Sequence, residues 1–116
     1  MPLILVSRDP IIIGDEMLEI LSAELPHIIA QHLSGTEVTL SSEDIEVRFG
    51  DFGPFDVKSR GLEIVIFAND HPQRRESLKE RTGWIVDDIR KILKDIGSRN
   101  FWVWVRLAKG EFVDVP

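Results

Sequence analysis

Leu3-Ile4-Leu5-Val6 is an unbroken apolar run without alternation, the pattern of a strand covered on both faces. Such a strand needs partners, and the residues that follow supply them. Beyond Asp9-Pro10 and Gly14, the residues Met17, Leu18, Leu21, Leu25, Ile28, Ile29 and Leu33 recur at three- and four-residue steps. That spacing predicts an amphipathic helix, with Asp15 as its cap and Gly35 as its stop. Pro26 falls inside the helix, where a missing N–H costs roughly 3 kcal/mol unless the backbone bends, so a kink is expected there. Ser41-Ser42-Glu43-Asp44 then leads into Ile45-Glu46-Val47-Arg48-Phe49, whose alternation is that of a half-covered strand.

The same series of elements follows again. Residues 50–61 contain Gly50, Gly53, Pro54 and Gly61 and read as a loop. Leu62 to Phe67 forms a third strand, and Phe101 to Leu107 a fourth, bounded by Asn100 and by Ala108-Lys109-Gly110. Between them Leu78, Ile85, Ile89, Ile92, Leu93 and Ile96 make one apolar helical stripe that ends at Gly97. The predicted order is β-α-β-β-α-β, a single domain of two pseudo-repeated βαβ units, roughly residues 1–58 and 59–116. The expected fold is an α+β two-layer sandwich, a four-stranded mixed sheet with two helices on one face. Ferredoxin-like proteins share this element order. The 50–61 connection separates the two: a hairpin there makes the ferredoxin-like sheet, whereas a crossover keeps the βαβ units apart.

Composition narrows the functional classes. With 116 residues, 43% of them apolar and 29% charged, the chain suits one soluble domain, and no apolar stretch reaches the ~20 residues of a membrane helix. The apolar run near Pro2 is short and has no basic segment before it, so no signal peptide is expected and the cytoplasm is the expected location. A net charge of −6 argues against nucleic-acid binding, which depends on Lys and Arg neutralising many phosphates. The absence of cysteine excludes disulfides and thiolate metal sites.

Several stretches form a pattern in order: Met1-Pro2-Leu3-Ile4 at the head of strand one, Ser42 to Phe49 entering strand two, and Arg74-Arg75-Glu76-Ser77-Leu78-Lys79 followed by Ile85-Val86-Asp87-Asp88. Asn100-Phe101-Trp102-Val103-Trp104-Val105 completes it. Together these stretches resemble the tautomerase superfamily, in particular its long-subunit members similar to MIF and to cis-3-chloroacrylic acid dehalogenase. The resemblance implies a cofactor-independent tautomerase or isomerase, usually a homotrimer, with its site near the amino terminus and lined partly by a neighbouring chain. It implies Pro2 as general base once Met1 is removed, acting on a small keto–enol substrate that carries a carboxylate.

The chemistry of Pro2 suits that role. An α-amine titrates near pH ~7.7, far below a side-chain amine, and the ring leaves the nitrogen little freedom of aim. Arg74 and Arg75 follow His71-Pro72 at the expected start of helix two, where the helix dipole disfavours cations. Family members acting on carboxylated substrates use arginines in this region, so one of the pair is expected to bind the carboxylate; a solvated pair balanced by Glu76 and Glu80 is the alternative. In strand four, Trp102, Trp104 and Arg106 alternate with Phe101, Val103, Val105 and Leu107, so the indoles and the guanidinium share one face, either a pocket wall or a subunit interface. Trp104 falls where some family members carry an aromatic hydrogen-bond donor, and this chain has no tyrosine. Arg48, and after it Arg8, are further substrate-binding candidates, and Glu111 could serve as a late carboxylate. His27 and His32 are five apart and do not share a helix face, so no metal is assigned and surface or interface positions are expected for both. Two other classes stay open: a tautomerase-fold protein without activity, and a ferredoxin-like module that binds a small ligand or a protein.

Overall fold

The structure, a computed structural model, describes residues 2–57, 60–94, 101–110, 113 and 115. Four strands, β1 (Leu3–Arg8), β2 (Glu46–Asp51), β3 (Leu62–Asn69) and β4 (Phe101–Ala108), form one sheet in the order β2-β1-β3-β4. The β1–β2 and β3–β4 pairs are parallel, and β1–β3 is antiparallel. β2 therefore joins β1 and not β3. The connection after β2 crosses over instead of forming a hairpin, and this excludes the ferredoxin-like arrangement. Its ends are pinned beside β1 by Phe52 N donating to Arg8 O and Asp9 N donating to Gly61 O, both at 2.8 Å.

The helices α1 (Asp15–Leu33) and α3 (Leu78–Leu93) cover one face of the sheet. Ile4, Val6, Leu62, Ile64 and Ile66 point into that layer, where Leu21, Leu25, Ile29, Leu33, Ile85 and Ile89 meet them, all essentially fully buried. Alternation along the strands places Leu3, Leu5, Val65, Phe67, Trp102 and Trp104 on the opposite face, which neither helix covers. The expectation that β1 is covered on both faces is thus half met within one chain. Its second face is apolar but lacks its own layer.

Local chemistry explains the element ends. Gly14, not Asp15, is the N-cap of α1; Asp15 instead bonds Arg8 at 2.7 Å, and Arg8 also donates to Asp51 at 2.7 Å and to Ile13 O at 3.1 Å. Arg8 therefore ties together the ends of β1 and β2 and the start of α1. Its pKa is raised further by the hydrogen bonds to Asp51 and then Asp15. α1 runs through Pro26 without interruption, because the neighbouring Leu25, Ile28 and Ile29 are buried and hold that turn against the sheet. It stops at Ser34, one residue before Gly35.

The expected second helix is two helices. Pro72–Glu76 forms a single short turn, α2, capped by His71, and Ser77 separates it from α3. Arg74 and Arg75 consequently lie in the last turn of α2, where the dipole argument against them no longer applies. Ile96 and Gly97, the predicted end of the stripe, lie outside the described residues. His32 is not a surface group: its Nε2 is 2.6 Å from Asp88 Oδ2, and Trp84 lies against its ring, so it joins α1 to α3. Among the described residues, no helix is long and apolar enough to cross a membrane.

Candidate functional site

Pro2 stands at the head of β1, buried, with its carbonyl accepting from Glu46 N at 3.2 Å. Register brings the starts of β1 and β2 to the same end of the sheet as the last residues of β3 and β4. On the uncovered face one row reads Glu46, Leu3, Phe67, Arg106 across the four strands, and the next reads Arg48, Leu5, Val65, Trp104. Arg106 thus lies in the row that begins beside Pro2. Its guanidinium carbon is 4.8 Å from the centre of the Trp104 ring and 5.9 Å from that of Phe67, within cation–π range of both.

Trp104 also lines a cavity of about 570 Å³ along the outer edge of β4, with Val103 and Val105 beside it. The helix side of this cavity carries Arg75, Leu78 and Lys79, with Glu76 and Glu80 as the acids. The structure therefore gathers Arg75, Trp104 and Arg106 into one region. Arg75 donates to Asp70 at 3.1 Å.

Arg74 and Arg48 fall elsewhere. Arg74 is 4% exposed; its Nε donates to Leu33 O at 2.9 Å and its Nη1 to Asn69 O at 3.1 Å. Beside it Arg81 donates to His32 O and Ser34 O, both at 2.8 Å. Two guanidinium groups thus satisfy the carbonyls at the end of α1, where the helix dipole favours positive charge. Burial, and then the neighbouring charge of Arg81, lowers the pKa of Arg74. The donors of Arg74 are thus turned inward onto backbone carbonyls, whereas Arg75 lines the cavity. Arg48 sits on β2, across the sheet from the cavity, and bonds Glu46 at 3.3 Å. Glu111 lies outside the described residues. Among the described residues, no group of three His, Asp or Glu side chains is arranged to hold a metal.

Phe67 and Asp70 were missed by sequence reasoning. Phe67 looked like any apolar strand residue, and only register sets it beneath Arg106; Asp70 carried no signal before the α2 turn brought it to Arg75.

Two parallel βαβ units joined through antiparallel central strands make the tautomerase fold, and the chain has that fold. Solved structures sharing it include a fused 4-OT described as a symmetric trimer (TM-score 0.67, 11% identity, covering 92% of this chain and 87% of that one). They also include N1, a member of the cis-3-chloroacrylic acid dehalogenase family (TM-score 0.64, 15% identity, 94% and 76% covered). A third is MIF2 of Leishmania major (TM-score 0.58, 17% identity, 93% and 89% covered). No family model and no curated protein matches the sequence.

Proposed function

We propose that this chain is a cofactor-independent tautomerase or isomerase in which Pro2, freed by removal of Met1, acts as general base on a small carboxylated keto–enol compound. What carries the reading is the combination of a tautomerase fold with a proline at the head of a central strand. Neutral near physiological pH and restrained by its ring, the amine removes a proton beside a carbonyl, and a guanidinium offsets the negative charge that develops on the enolate. The proton then returns at another carbon, so no redox cofactor or metal takes part. That the neighbours sharing this fold include a 4-OT and a dehalogenase-family member supports proton-transfer chemistry at such a site.

A homotrimer belongs to the same proposal. Leu3, Leu5, Val65, Phe67, Trp102 and Trp104 leave an apolar sheet face without a helix layer, and burying it between copies removes it from water. Sedimentation at micromolar concentration is expected to give three times the chain mass; a stable monomer would count against the assembly.

The burial of Pro2 favours a second reading, a protein of this fold that binds ligand without turning it over. The two separate in one experiment. Protein shown by intact mass to lack Met1 should accelerate the ketonisation of phenylenolpyruvate, followed by its ultraviolet absorbance. Fully processed protein with no acceleration over buffer across a panel of enol carboxylates would leave the non-catalytic reading.

A further inference from the structure

β4 is an outer strand of the sheet, and the direction of its backbone groups follows from one bond. Asp70 N, at the end of β3, donates to Ala108 O at 2.9 Å. In a parallel ladder alternate residues bond the same neighbour, so Ala108, Arg106 and Trp104 turn their backbone groups to β3. Val103 and Val105 turn theirs the other way, off the edge of the sheet. Both line the cavity beside β4, which therefore follows an edge presenting two N–H donors and two C=O acceptors at a repeat of about 6.6 Å. Exposed edges are ordinarily blunted by charge, proline or a bulge. The other edge strand, β2, carries Glu46, Arg48 and Asp51, whereas Phe101–Ala108 has no proline and, in Arg106, a single charge.

The walls define what pairs with that edge. A donor and an acceptor repeating every second residue match an extended peptide backbone, which gains main-chain bonds by adding as a fifth strand. Leu78, Val103, Val105 and Trp104 give the groove apolar walls for alternate side chains of such a strand. Charge then selects among peptides. Arg75 is bonded to Asp70 at 3.1 Å, while Glu76, Lys79 and Glu80 make no ion pair among the described residues. Two acids against one lysine leave the rim negative, in a chain of net charge −6. A basic strand complements that rim and an acidic one is repelled. β2 of a second copy, with Glu46 and Asp51 against Arg48, brings the same sign as the rim and is the poorer fit.

We infer that the groove along β4 is a docking site for an extended partner segment in which apolar and basic residues alternate, captured through the backbone of Val103 and Val105. The inference stands apart from the proposed function, since Pro2 is not among the residues that line the groove.

The test is amide NMR of the full chain titrated with acetyl-Lys-Val-Lys-Val-Lys-amide and, separately, with acetyl-Glu-Val-Glu-Val-Glu-amide. The lysine peptide should shift the Val103 and Val105 amides and slow their exchange with solvent by about tenfold, while the Trp104 and Arg106 amides, already bonded to β3, exchange as before. The glutamate peptide should bind about tenfold more weakly, and Glu76→Gln with Glu80→Gln should bring the two peptides within about threefold. Val103→Pro deletes an outward N–H without breaking a bond to β3, so it should fold and bind the lysine peptide about fivefold more weakly. Peptides N-methylated at the valines or, separately, at the lysines probe the same bonds with the protein unaltered; one alternation should keep binding and the other lose it. No binding of the lysine peptide at about 1 mM would overturn the inference. Equal affinity for the two peptides in wild type would do the same, as would equal binding by both methylated forms. Val103 and Val105 amides as slow to exchange as that of Trp104 before any peptide is added would also overturn it, since the edge would then be occupied by a second copy or by the chain itself.

Discussion

Pro2→Ala is expected to lower kcat/KM for phenylenolpyruvate by about 100-fold, and retention of Met1 to abolish the activity, each with little change in folding. Alanine keeps an α-amine of similar basicity but frees it to rotate, so what is lost is aim. A retained methionine turns the same nitrogen into an amide, and the base is gone. Neither change removes the Pro2 carbonyl that accepts from Glu46 N, so the start of β1 keeps its bond to β2. The measurement is kcat/KM beside the urea midpoint of each chain. Equal kcat/KM in wild type and Pro2→Ala would dismiss the proline mechanism, whereas a large fall in both quantities would mean that the ring is needed for packing.

Arg74→Ala should be the most destabilising change among the arginines, by about 2–4 kcal/mol, without altering the preference for a carboxylate over a neutral ligand. The estimate follows from two hydrogen bonds to a charged group, each worth about 1.5–3 kcal/mol, less the relief of not burying that charge. Removing the side chain strands Leu33 O and Asn69 O in an interior where Arg74 is 4% exposed. Arg74→Met, which keeps most of the volume, should recover less than half of the loss, because the two carbonyls still lack donors. Urea unfolding measures both variants; Arg74→Met as stable as wild type would show that the arginine contributes volume alone.

The pH dependence of that difference has a definite sign. The pKa of Arg74 is lower in the folded chain than in the unfolded one, so protonation disfavours folding wherever the unfolded group holds its proton. That penalty is constant below the folded value and is relieved only as pH rises from the folded value to the unfolded one. An arginine stays protonated in both states through the neutral range, so the difference between wild type and Arg74→Ala should be the same at about pH 6 and about pH 9.

Periodicity carried much of this fold by itself. The three- and four-residue steps from Met17 to Leu33 required one apolar helix face, and the alternation from Phe101 to Leu107 required Trp102, Trp104 and Arg106 to stand together, because side-chain direction follows from backbone geometry alone. Sheet order was beyond such reasoning. β-α-β-β-α-β is compatible with a hairpin or a crossover at residues 50–61, and the choice lies in which strand edges bond, a contact between residues far apart in sequence. The arginines divide in the same way. Their number and spacing are sequence facts, but Arg74 and Arg75 have opposite environments because Ser77 ends the short α2 turn and sets one side chain under the end of α1 and the other toward Asp70. Arg106 could be assigned a face from alternation, while its stack on Phe67 depends on the β3–β4 register. Local geometry fixes the direction of each side chain; only long-range pairing and burial decide which partners it meets, and therefore which charges remain free to bind.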